Sequence, residues 1–472
     1  MTRPPLLYRA LRSLVRGLVQ LFFRRVTVEG RWRLPLDRGG LLVAWHPNGI
    51  IDPAVMLASF PGQVVFGARD GLLRWPLIGP IMTGLGTVPI YRSQDQETMS
   101  AEARRAANAE SLGALADAVA GGAYAALFPE GVSHDRPGPV EIRHGAARLW
   151  ALAAERTADG LPPPALVPVG LHYGDKNTFR SDVLVRYGVP IDTSDAPDAD
   201  ALTARIADAI EAASLGVADW EQHRLLLRAQ DVVRAEAAAR RGDRSGAEAG
   251  LSEQVAGVAA LWDAAQRLGA EQPEAVAAFQ DRLDAYDQRL RDLDLDSAGL
   301  DVPPRIGSPL RVLAIGLAVV LGAVLAPPLL LWGLLVNAGP YWALKPLAKR
   351  FASAEKDEAT IKLLGGMVLF PLAWVVASAL VALGVVRIWE PVGLSLAPVA
   401  AAFAAGALAA VGGGLVLRAV ELGQAALRNA RAHLVRRRLG DGIAALRADR
   451  AALHDALVRA SRVPLSSPAA TG

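Results

Sequence analysis

Apolar residues are spread along the chain in several distinct patterns, and the first of them covers residues 1–28. Leucines and Phe22 recur there at helical spacing, while arginines occupy another face. A basic amphipathic helix of this kind suits a membrane surface that carries anionic lipids, although an ordinary docking helix has the same pattern. Arg16 interrupts the apolar run, so we do not expect a cleavable signal peptide.

Residues 29–215 alternate short apolar runs with longer stretches of helical periodicity. Short runs bounded by Gly, Pro or Asp predict strands, and they lie at Leu41–Trp45, Val64–Gly67, Ala125–Phe128, Leu166–Leu171 and Val183–Tyr187. Helices are predicted between them at Met99–Val119 and Glu141–Ala154. Strands that alternate with helices predict an α/β domain with a largely parallel sheet, in which ligands bind near the strand ends.

Residues 216–308 are rich in Ala, Arg, Glu, Asp and Gln and contain no recognisable chemical motif. Segments such as Ala229–Arg240 and Glu274–Leu293 have the composition of solvent-facing helices. We therefore predict a charged helical spacer after the α/β domain.

Residues 309–420 are strongly apolar and predict a C-terminal transmembrane helical region. Uncharged runs extend over Val312–Leu344, Leu363–Val386 and Pro391–Leu417. A helix needs about 20 apolar residues to cross a bilayer, so 363–386 and 391–417 are predicted transmembrane helices. Pro327-Pro328 divides the first run into pieces too short to span, which favours a re-entrant hairpin over 312–344.

The distribution of basic residues predicts which side of the membrane each connection faces. Five basic residues lie within Lys345–Lys362, and the tail over 421–472 is rich in arginine, whereas 387–390 contains only Arg387. Basic connections stay on the cytoplasmic side. We therefore predict an integral protein of the cytoplasmic membrane, with 345–362 and the basic tail in the cytoplasm and 387–390 outside.

Composition supports membrane association and excludes several classes of function. Hydrophobic residues make up 52% and charged residues 21% of the 472 residues, and the mean hydropathy is +0.26. These values are unusually apolar for a purely soluble enzyme. The chain has no cysteine, which excludes disulfide scaffolds, thiolate metal sites and cysteinyl intermediates. A net charge of +3 gives no reason to expect a nucleic-acid partner.

Candidate chemistry lies at the ends of the predicted strands. His46 follows the first strand and Asp52 lies just inside the next helix, so Asp52 can hold one imidazole nitrogen and leave the other as a base. Arg92 ends an apolar segment, and its planar guanidinium suits a phosphate group. After a later strand, Glu130 can accept hydroxyl hydrogen bonds and Gly131 permits close approach of the backbone.

Four segments, in this order and at these distances, resemble the motifs of the glycerol-3-phosphate and lysophosphatidate acyltransferase superfamily. They are a His/Asp segment, an arginine segment, a Phe-Pro-Glu-Gly segment and a Val-Pro segment, at His46–Pro53, Gly86–Ser93, Ala125–Asp135 and Leu166–Leu171. Five residues separate His46 from Asp52, one more than in the commonest family pattern. This form of the motif, together with Phe179-Arg180-Ser181, resembles the branch that acylates glycerol-3-phosphate or dihydroxyacetone phosphate.

The resemblance covers about residues 25–215 and implies an acyltransferase-type α/β domain over 29–215. It implies that His46 removes a proton from a glycerol hydroxyl while Asp52 fixes the imidazole. It also implies that Arg92 holds the phosphate and that Glu130 and Gly131 orient the glycerol. Further residues near the motifs are predicted to bind substrate (Asn48, Arg143 and Arg180) or to support the site (Ser133, His134, Asp135 and Pro168).

The resemblance also implies the partners of the reaction. They are a glycerol phosphate acceptor, an acyl thioester carried by CoA or by acyl-carrier protein, and membrane lipids; no bound cofactor or metal is expected. Because these thioesters are cytosolic, the catalytic domain is expected to face the cytoplasm.

Three other functions remain open. The domain could acylate lysophosphatidate to phosphatidate. A metal hydrolase could use His46, Asp52, His134 and Asp135 as ligands, although no His-x-His or His-Glu-x-x-His pair is present; activity that survives a strong chelator would exclude it. A non-catalytic scaffold could bind lipid only, and turnover of labelled acyl-CoA by the wild-type protein would exclude that function.

Overall fold

A computed structural model describes residues 5–76, 78–91, 99–175, 178–195, 198–214, 220–243, 250–293, 295–301, 327–351, 355–389, 396–439 and 441–461. The chain forms two compact units. The first contains the sheet and extends to Arg224, with 249–262 and 353–360 added; the second contains most of the later helices.

Seven strands form one sheet in the first unit. They are β1 (Arg25–Glu29), β2 (Gly40–Ala44), β3 (Val64–Arg69), β4 (Val88–Ile90), β5 (Tyr124–Leu127), β6 (Ala165–Tyr173) and β7 (Asp182–Tyr187). Their order is β1-β7-β6-β2-β5-β3-β4, and each neighbouring pair is parallel except β6 with β7. The predicted α/β fold with a largely parallel sheet is therefore confirmed.

Helices surround this sheet, and its middle strands form the core. The helices are α1 (Leu6–Phe22), α2 (Ile51–Ser59), α3 (Asp70–Leu73), α4 (Ile78–Gly84), α5 (Ala101–Ala120), α6 (Gly145–Arg156) and α7 (Ala199–Ser214). All five residues of β2 are buried, as expected for a central parallel strand that helices cover on both faces. Its two neighbours, β6 and β5, bring the Val-Pro and Phe-Pro-Glu-Gly segments beside the end of β2.

Two strands were missed by the sequence prediction. The helix expected over 1–28 ends at Phe22, because the β-branched residues Val26, Thr27 and Val28 follow and pair with β7. The other missed strand, β4, has three residues including Pro89 and is too short to show an alternating pattern. The remaining predicted strands and helices of the sheet domain are present, with ends shifted by a few residues.

Seven further helices make up the rest of the described chain. They are α8 (Trp220–Arg240), α9 (Leu251–Glu271), α10 (Pro273–Asp292), α11 (Pro327–Phe351), α12 (Glu355–Trp389), α13 (Ala397–Leu439) and α14 (Asp441–Ser461). Within the described residues, two segments are long and apolar enough to cross a membrane, at Thr360–Arg387 in α12 and Ala397–Glu421 in α13. They overlap the two predicted transmembrane helices, and few of their residues are buried in the protein.

The predicted re-entrant hairpin over 312–344 lies partly outside the described residues, which resume at Pro327. The described part of helix α11 runs from that residue. The helix then continues to Phe351, past the predicted end of the apolar run, with Pro340 and Pro346 inside it. The re-entrant path itself stays a prediction.

Close backbone contact and a half-buried amide hold α11, α12 and α13 together. A Cβ on Gly333 of α11 would lie 2.3 Å from the carbonyl carbon of Gly412 of α13, so these helices touch where both residues are glycine. Asn337 donates through Nδ2 to the Ala409 oxygen at 2.9 Å and accepts from Trp374 Nε1 at 2.9 Å. Hydrogen bonds of this kind link helices in apolar surroundings.

The predicted spacer (216–308) and tail (421–472) are not independent solvated segments. Arg450 of α14 is buried and donates to Glu236 of α8 at 3.0 Å and to the Ser297 carbonyl at 2.6 Å, and it forms an ion pair with Asp301 at 2.5 Å. An arginine in a charged helix is expected to be exposed, so the sequence pattern does not predict this buried ion pair. Helices before and after the apolar region therefore pack together within the second unit.

Candidate active site

A histidine–aspartate pair lies where β2 ends. His46 follows β2 and Asp52 belongs to the first turn of α2, and Nδ1 of His46 lies 2.8 Å from Oδ2 of Asp52. The Asp52 side chain is 0% exposed, whereas that of His46 is 16% exposed. An ionised carboxylate can only accept, so Nδ1 carries the proton and Nε2 holds the lone pair of a base. The structure therefore brings together the two residues that the sequence predicts as a pair.

The additional residue between His46 and Asp52 is absorbed in a tight turn. The N–H of Ile51 donates to the Asn48 carbonyl at 3.0 Å, and Gly49 has φ +47°, a left-handed conformation that glycine adopts without a steric penalty. The turn aims the N–H of Asn48 at Asp52 Oδ2, at 2.7 Å. Asn48, which was predicted to bind substrate, is fully buried and holds Asp52 through its backbone.

The Phe-Pro-Glu-Gly segment is a β-turn beside His46. The N–H of Gly131 donates to the Phe128 carbonyl at 3.0 Å, with Pro129 at the second position, where its fixed φ favours the turn. The Phe128 ring stacks on the His46 imidazole, with ring centres 4.0 Å apart and planes 13° from parallel. Phe128 thus restricts the orientation of the imidazole, a role that the sequence prediction did not include.

Both oxygens of the Glu130 carboxylate accept hydrogen bonds from protein groups. Its Oε2 accepts the His46 N–H at 2.7 Å, and its Oε1 accepts from Nε2 of His134 at 2.9 Å and from the Val140 N–H at 2.9 Å. The His134 N–H donates to the His46 carbonyl at 3.1 Å. His134 therefore contacts both the Glu130 carboxylate and the backbone of His46, and its supporting role stays a prediction.

The burial of Glu130 bears on its predicted role. Its side chain is 0% exposed, so protein groups surround this carboxylate. A buried carboxylate that accepts several hydrogen bonds instead fixes the groups that donate to it. Glu130 holds the backbone of His46 in place, and its predicted role in orienting the glycerol stays a prediction.

Gly131 and Arg143 lie together at the outer side of this turn. Gly131 has φ +73°, and a Cβ built on it would lie 3.3 Å from Nη1 of Arg143. The Arg143 N–H donates to the Pro129 carbonyl at 3.0 Å, and the residue is otherwise exposed. The structure therefore places one predicted phosphate ligand, Arg143, against the turn that supports His46.

The other predicted site residues lie further from the pair or outside the described chain. Arg92 belongs to 92–98, which lie outside the described residues, so its role stays a prediction. Ser133 and Asp135 are half-buried in the loop after Glu130. Pro168 is buried within β6 opposite Val43, and Arg180 lies in the β6–β7 connection at φ +68°, where its N–H donates to the Phe22 carbonyl at 2.7 Å.

Tyr173 is a site residue that the sequence analysis missed. It ends β6, and its hydroxyl donates to Asp52 Oδ1 at 2.5 Å. Burial first, and then the adjacent Asp52 charge, raise the pKa of Tyr173 well above its ordinary value. Tyr173 ends the strand beside β2, and this position could have indicated a site residue. A tyrosine after an apolar run is, however, also common in a sheet core.

The geometry suits proton transfer by an oriented imidazole. Asp52, held by Asn48 and Tyr173, fixes Nδ1 of His46, so Nε2 can take a proton from a hydroxyl group that reaches the ring. In the described part of the chain, no three His, Asp or Glu side chains gather in a way that could hold a metal ion.

Comparison with known protein families identifies the sheet domain. Residues 25–172 match the family model described as Acyltransferase. Glycerol-3-phosphate O-acyltransferase 2 of Saccharomyces cerevisiae is 49% identical over 65 residues, which are 14% of this chain and 8% of the yeast protein. An uncharacterized acyltransferase of Schizosaccharomyces pombe is 24% identical over 37% of each chain. The chain thus matches well under half the length of these two relatives.

A solved structure was also found. It is the crystal structure of the 1-acyl-sn-glycerophosphate (LPA) acyltransferase PlsC from Thermotoga maritima, with 16% identity and a TM-score of 0.35 over 44% of this chain and 78% of that one. The family match covers the His46–Asp52 pair, the Phe-Pro-Glu-Gly turn and β6 except its last residue, Tyr173. The predicted resemblance of the sheet domain to the glycerol-3-phosphate and lysophosphatidate acyltransferase superfamily is thus confirmed over residues 25–172.

Proposed function

We propose that the protein is a membrane-bound acyltransferase that moves a fatty acyl group from acyl-CoA or acyl-carrier protein to glycerol-3-phosphate, a step of phospholipid synthesis. The observation that carries this proposal is the His46–Asp52 contact at the end of β2, inside the segment that matches the acyltransferase family. The form of the His/Asp motif and the short yeast match favour glycerol-3-phosphate as the acceptor.

The reaction needs one base and two bound substrates. Nε2 of His46 accepts the proton of a glycerol hydroxyl as its oxygen attacks the thioester carbonyl carbon. The carbon–sulfur bond then breaks, and the thiolate leaves and recovers the proton, giving an ester and a free thiol. Asp52 stabilises the imidazolium formed in between. No protein nucleophile takes part, and much of the rate gain comes from holding the two substrates in attack geometry.

A panel of acceptors and donors tests the substrate assignment. The purified full chain, in detergent or bilayers, is incubated with acyl-CoA or acyl-carrier protein and with glycerol-3-phosphate, dihydroxyacetone phosphate or lysophosphatidate. We expect the highest kcat/KM with glycerol-3-phosphate, measured as product by mass spectrometry. A clear preference for lysophosphatidate would instead assign phosphatidate synthesis to the site.

The ion pairs of Arg450 support a specific arrangement in the membrane. Arg450 binds Glu236 and Asp301, which precede the apolar helices, although Arg450 follows them. Because ion-paired side chains lie on one side of a membrane, this contact favours an even number of crossings between Asp301 and Arg450. If α12 and α13 each cross once, the stretch 302–351 begins and ends on the same side, as the basic residues of Lys345–Lys362 also predict.

Single cysteines test this arrangement cleanly because the native chain has none. Exposed positions suit the test before the apolar region (Ala285), after α11 (Phe351), before α13 (Leu396) and in α14 (Ala452). In closed vesicles we expect an impermeant maleimide to label Ala285→Cys, Phe351→Cys and Ala452→Cys from one side and Leu396→Cys from the other. Labelling of positions 285 and 351 from opposite sides would make the first apolar run a full span and contradict the arrangement.

A further inference from the structure

The hydrogen bonds of Asp52 are divided between its two oxygens. Oδ2 accepts from Nδ1 of His46 at 2.8 Å and from the N–H of Asn48 at 2.7 Å, both within the turn that joins β2 to α2. Oδ1 accepts from the Tyr173 hydroxyl at 2.5 Å, which comes from a different strand. Asp52 is 0% exposed, so protein donors replace water around its charge.

Tyr173 is well suited to be a fixed donor. It is the last residue of β6, the direct neighbour of β2 in the sheet, so its backbone is held by strand pairing. Its ring packs against Phe23, with ring centres 5.8 Å apart, and Phe22 packs against Phe179 on the β6–β7 connection. Because burial and the Asp52 charge raise the pKa of Tyr173, the phenol keeps its proton across any practical assay range.

We propose that Tyr173 is a positioning residue for acyl transfer, acting through Asp52 and not through the substrate. This inference rests on the proposed function, since it assigns a role within the same site. The hydroxyl of Tyr173 holds Oδ1 and thereby prevents rotation of the carboxylate, which keeps Oδ2 directed at Nδ1 of His46. It also withdraws charge from the carboxylate, so the proton on Nδ1 stays with the imidazole.

Tyr173→Phe tests the role because it removes the hydroxyl and keeps the ring against Phe23. Hydrogen bonds to charged groups are the stronger ones in proteins, so we expect kcat to fall about ten- to a hundredfold. The KM values of acceptor and donor should each change less than about threefold, since Tyr173 meets neither substrate. The acid limb of the kcat/KM profile should move to higher pH, because a carboxylate with fewer donors stabilises the imidazolium more strongly.

Tyr187→Phe is a matched control. Tyr187 also ends a strand of the same sheet. It is buried, and its hydroxyl lies 2.9 Å from the Ser59 hydroxyl, away from Asp52. This variant loses one hydrogen-bonded hydroxyl, as Tyr173→Phe does, and we expect it to keep kcat and the acid limb of the wild-type protein. Thermal unfolding of both variants shows whether their stability changes are comparable.

A second readout separates this inference from the proposed function. The Nδ1 proton of His46 gives an NMR signal that is identified by its loss in His46→Ala, and we expect its chemical shift to change in Tyr173→Phe but not in Tyr187→Phe. That result stands whether or not the wild-type protein acylates glycerol-3-phosphate. A folded Tyr173→Phe variant with wild-type kcat, an unmoved acid limb and an unmoved Nδ1 signal would overturn the positioning role. Equal losses of kcat in Tyr173→Phe and Tyr187→Phe would mean that Tyr173 has only a structural role, and would likewise overturn the positioning role.

Discussion

His46→Ala is expected to reduce acyl transfer by at least about a hundredfold, and up to about ten-thousandfold, since loss of a general base has costs of this size. The loss should appear in kcat, with the KM values of both substrates little changed, because in the proposed mechanism His46 acts on the reacting hydroxyl and not on the phosphate or the acyl chain. Initial rates of thiol release from acyl-CoA, measured against acceptor concentration, give both parameters.

The fold should tolerate this change. His46 lies outside the strand and its ring stacks on one face against Phe128, so alanine removes a partly exposed ring and leaves the backbone hydrogen bonds to Glu130 and His134 intact. His144→Ala is a suitable control, because His144 is half-exposed and pairs with Asp200 and Thr203. Retention of more than about a tenth of the wild-type kcat in His46→Ala would remove His46 from the role of base.

Asp52→Asn is expected to have the second largest effect, a loss in kcat of about a hundredfold to ten-thousandfold. The carboxylate accepts from His46, Asn48 and Tyr173, and all three groups are donors. A carboxamide has one acceptor oxygen, so its NH₂ group must face at least one donor. If the NH₂ group faces His46, the imidazole is favoured in the other tautomer, with its proton on Nε2. In that tautomer Nε2 cannot accept a proton from the substrate.

The Asp52→Asn measurement needs a control for folding. The residue is fully buried, so thermal unfolding and the far-ultraviolet circular dichroism of the variant are compared with those of the wild-type protein. A well-folded Asp52→Asn variant within about fivefold of the wild-type kcat would mean that a different group orients His46, in conflict with the geometry of the pair.

Much of the sheet domain was predictable because its strands are short, apolar and bounded by residues that break helices. The His/Asp and Phe-Pro-Glu-Gly segments were also visible, since both follow such strands and contain their polar residues in one short stretch. The turn at Gly49 accommodates the additional residue between His46 and Asp52.

What escaped prediction depends on contacts between segments that are distant in the sequence. Tyr173 lies 121 positions from Asp52 in the chain, and only the pairing of β6 with β2 brings them together. A charged residue such as Glu130 is expected at the surface. It can be buried because two backbone N–H groups and one histidine side chain donate hydrogen bonds to its carboxylate. Arg450 likewise belongs to a charged helix and is buried by partners more than a hundred residues away.

The measurement that tests the central proposal most directly is acyl transfer by the purified full chain, wild type beside His46→Ala, with acyl-CoA and glycerol-3-phosphate. Mass spectrometry follows the acylated glycerol phosphate while a thiol reagent follows free CoA. We expect the wild-type protein to form both products in equal amounts and His46→Ala to form almost none of either. A folded wild-type protein that acylates no glycerol phosphate, or a His46→Ala variant that acylates it equally well, would contradict the proposed function.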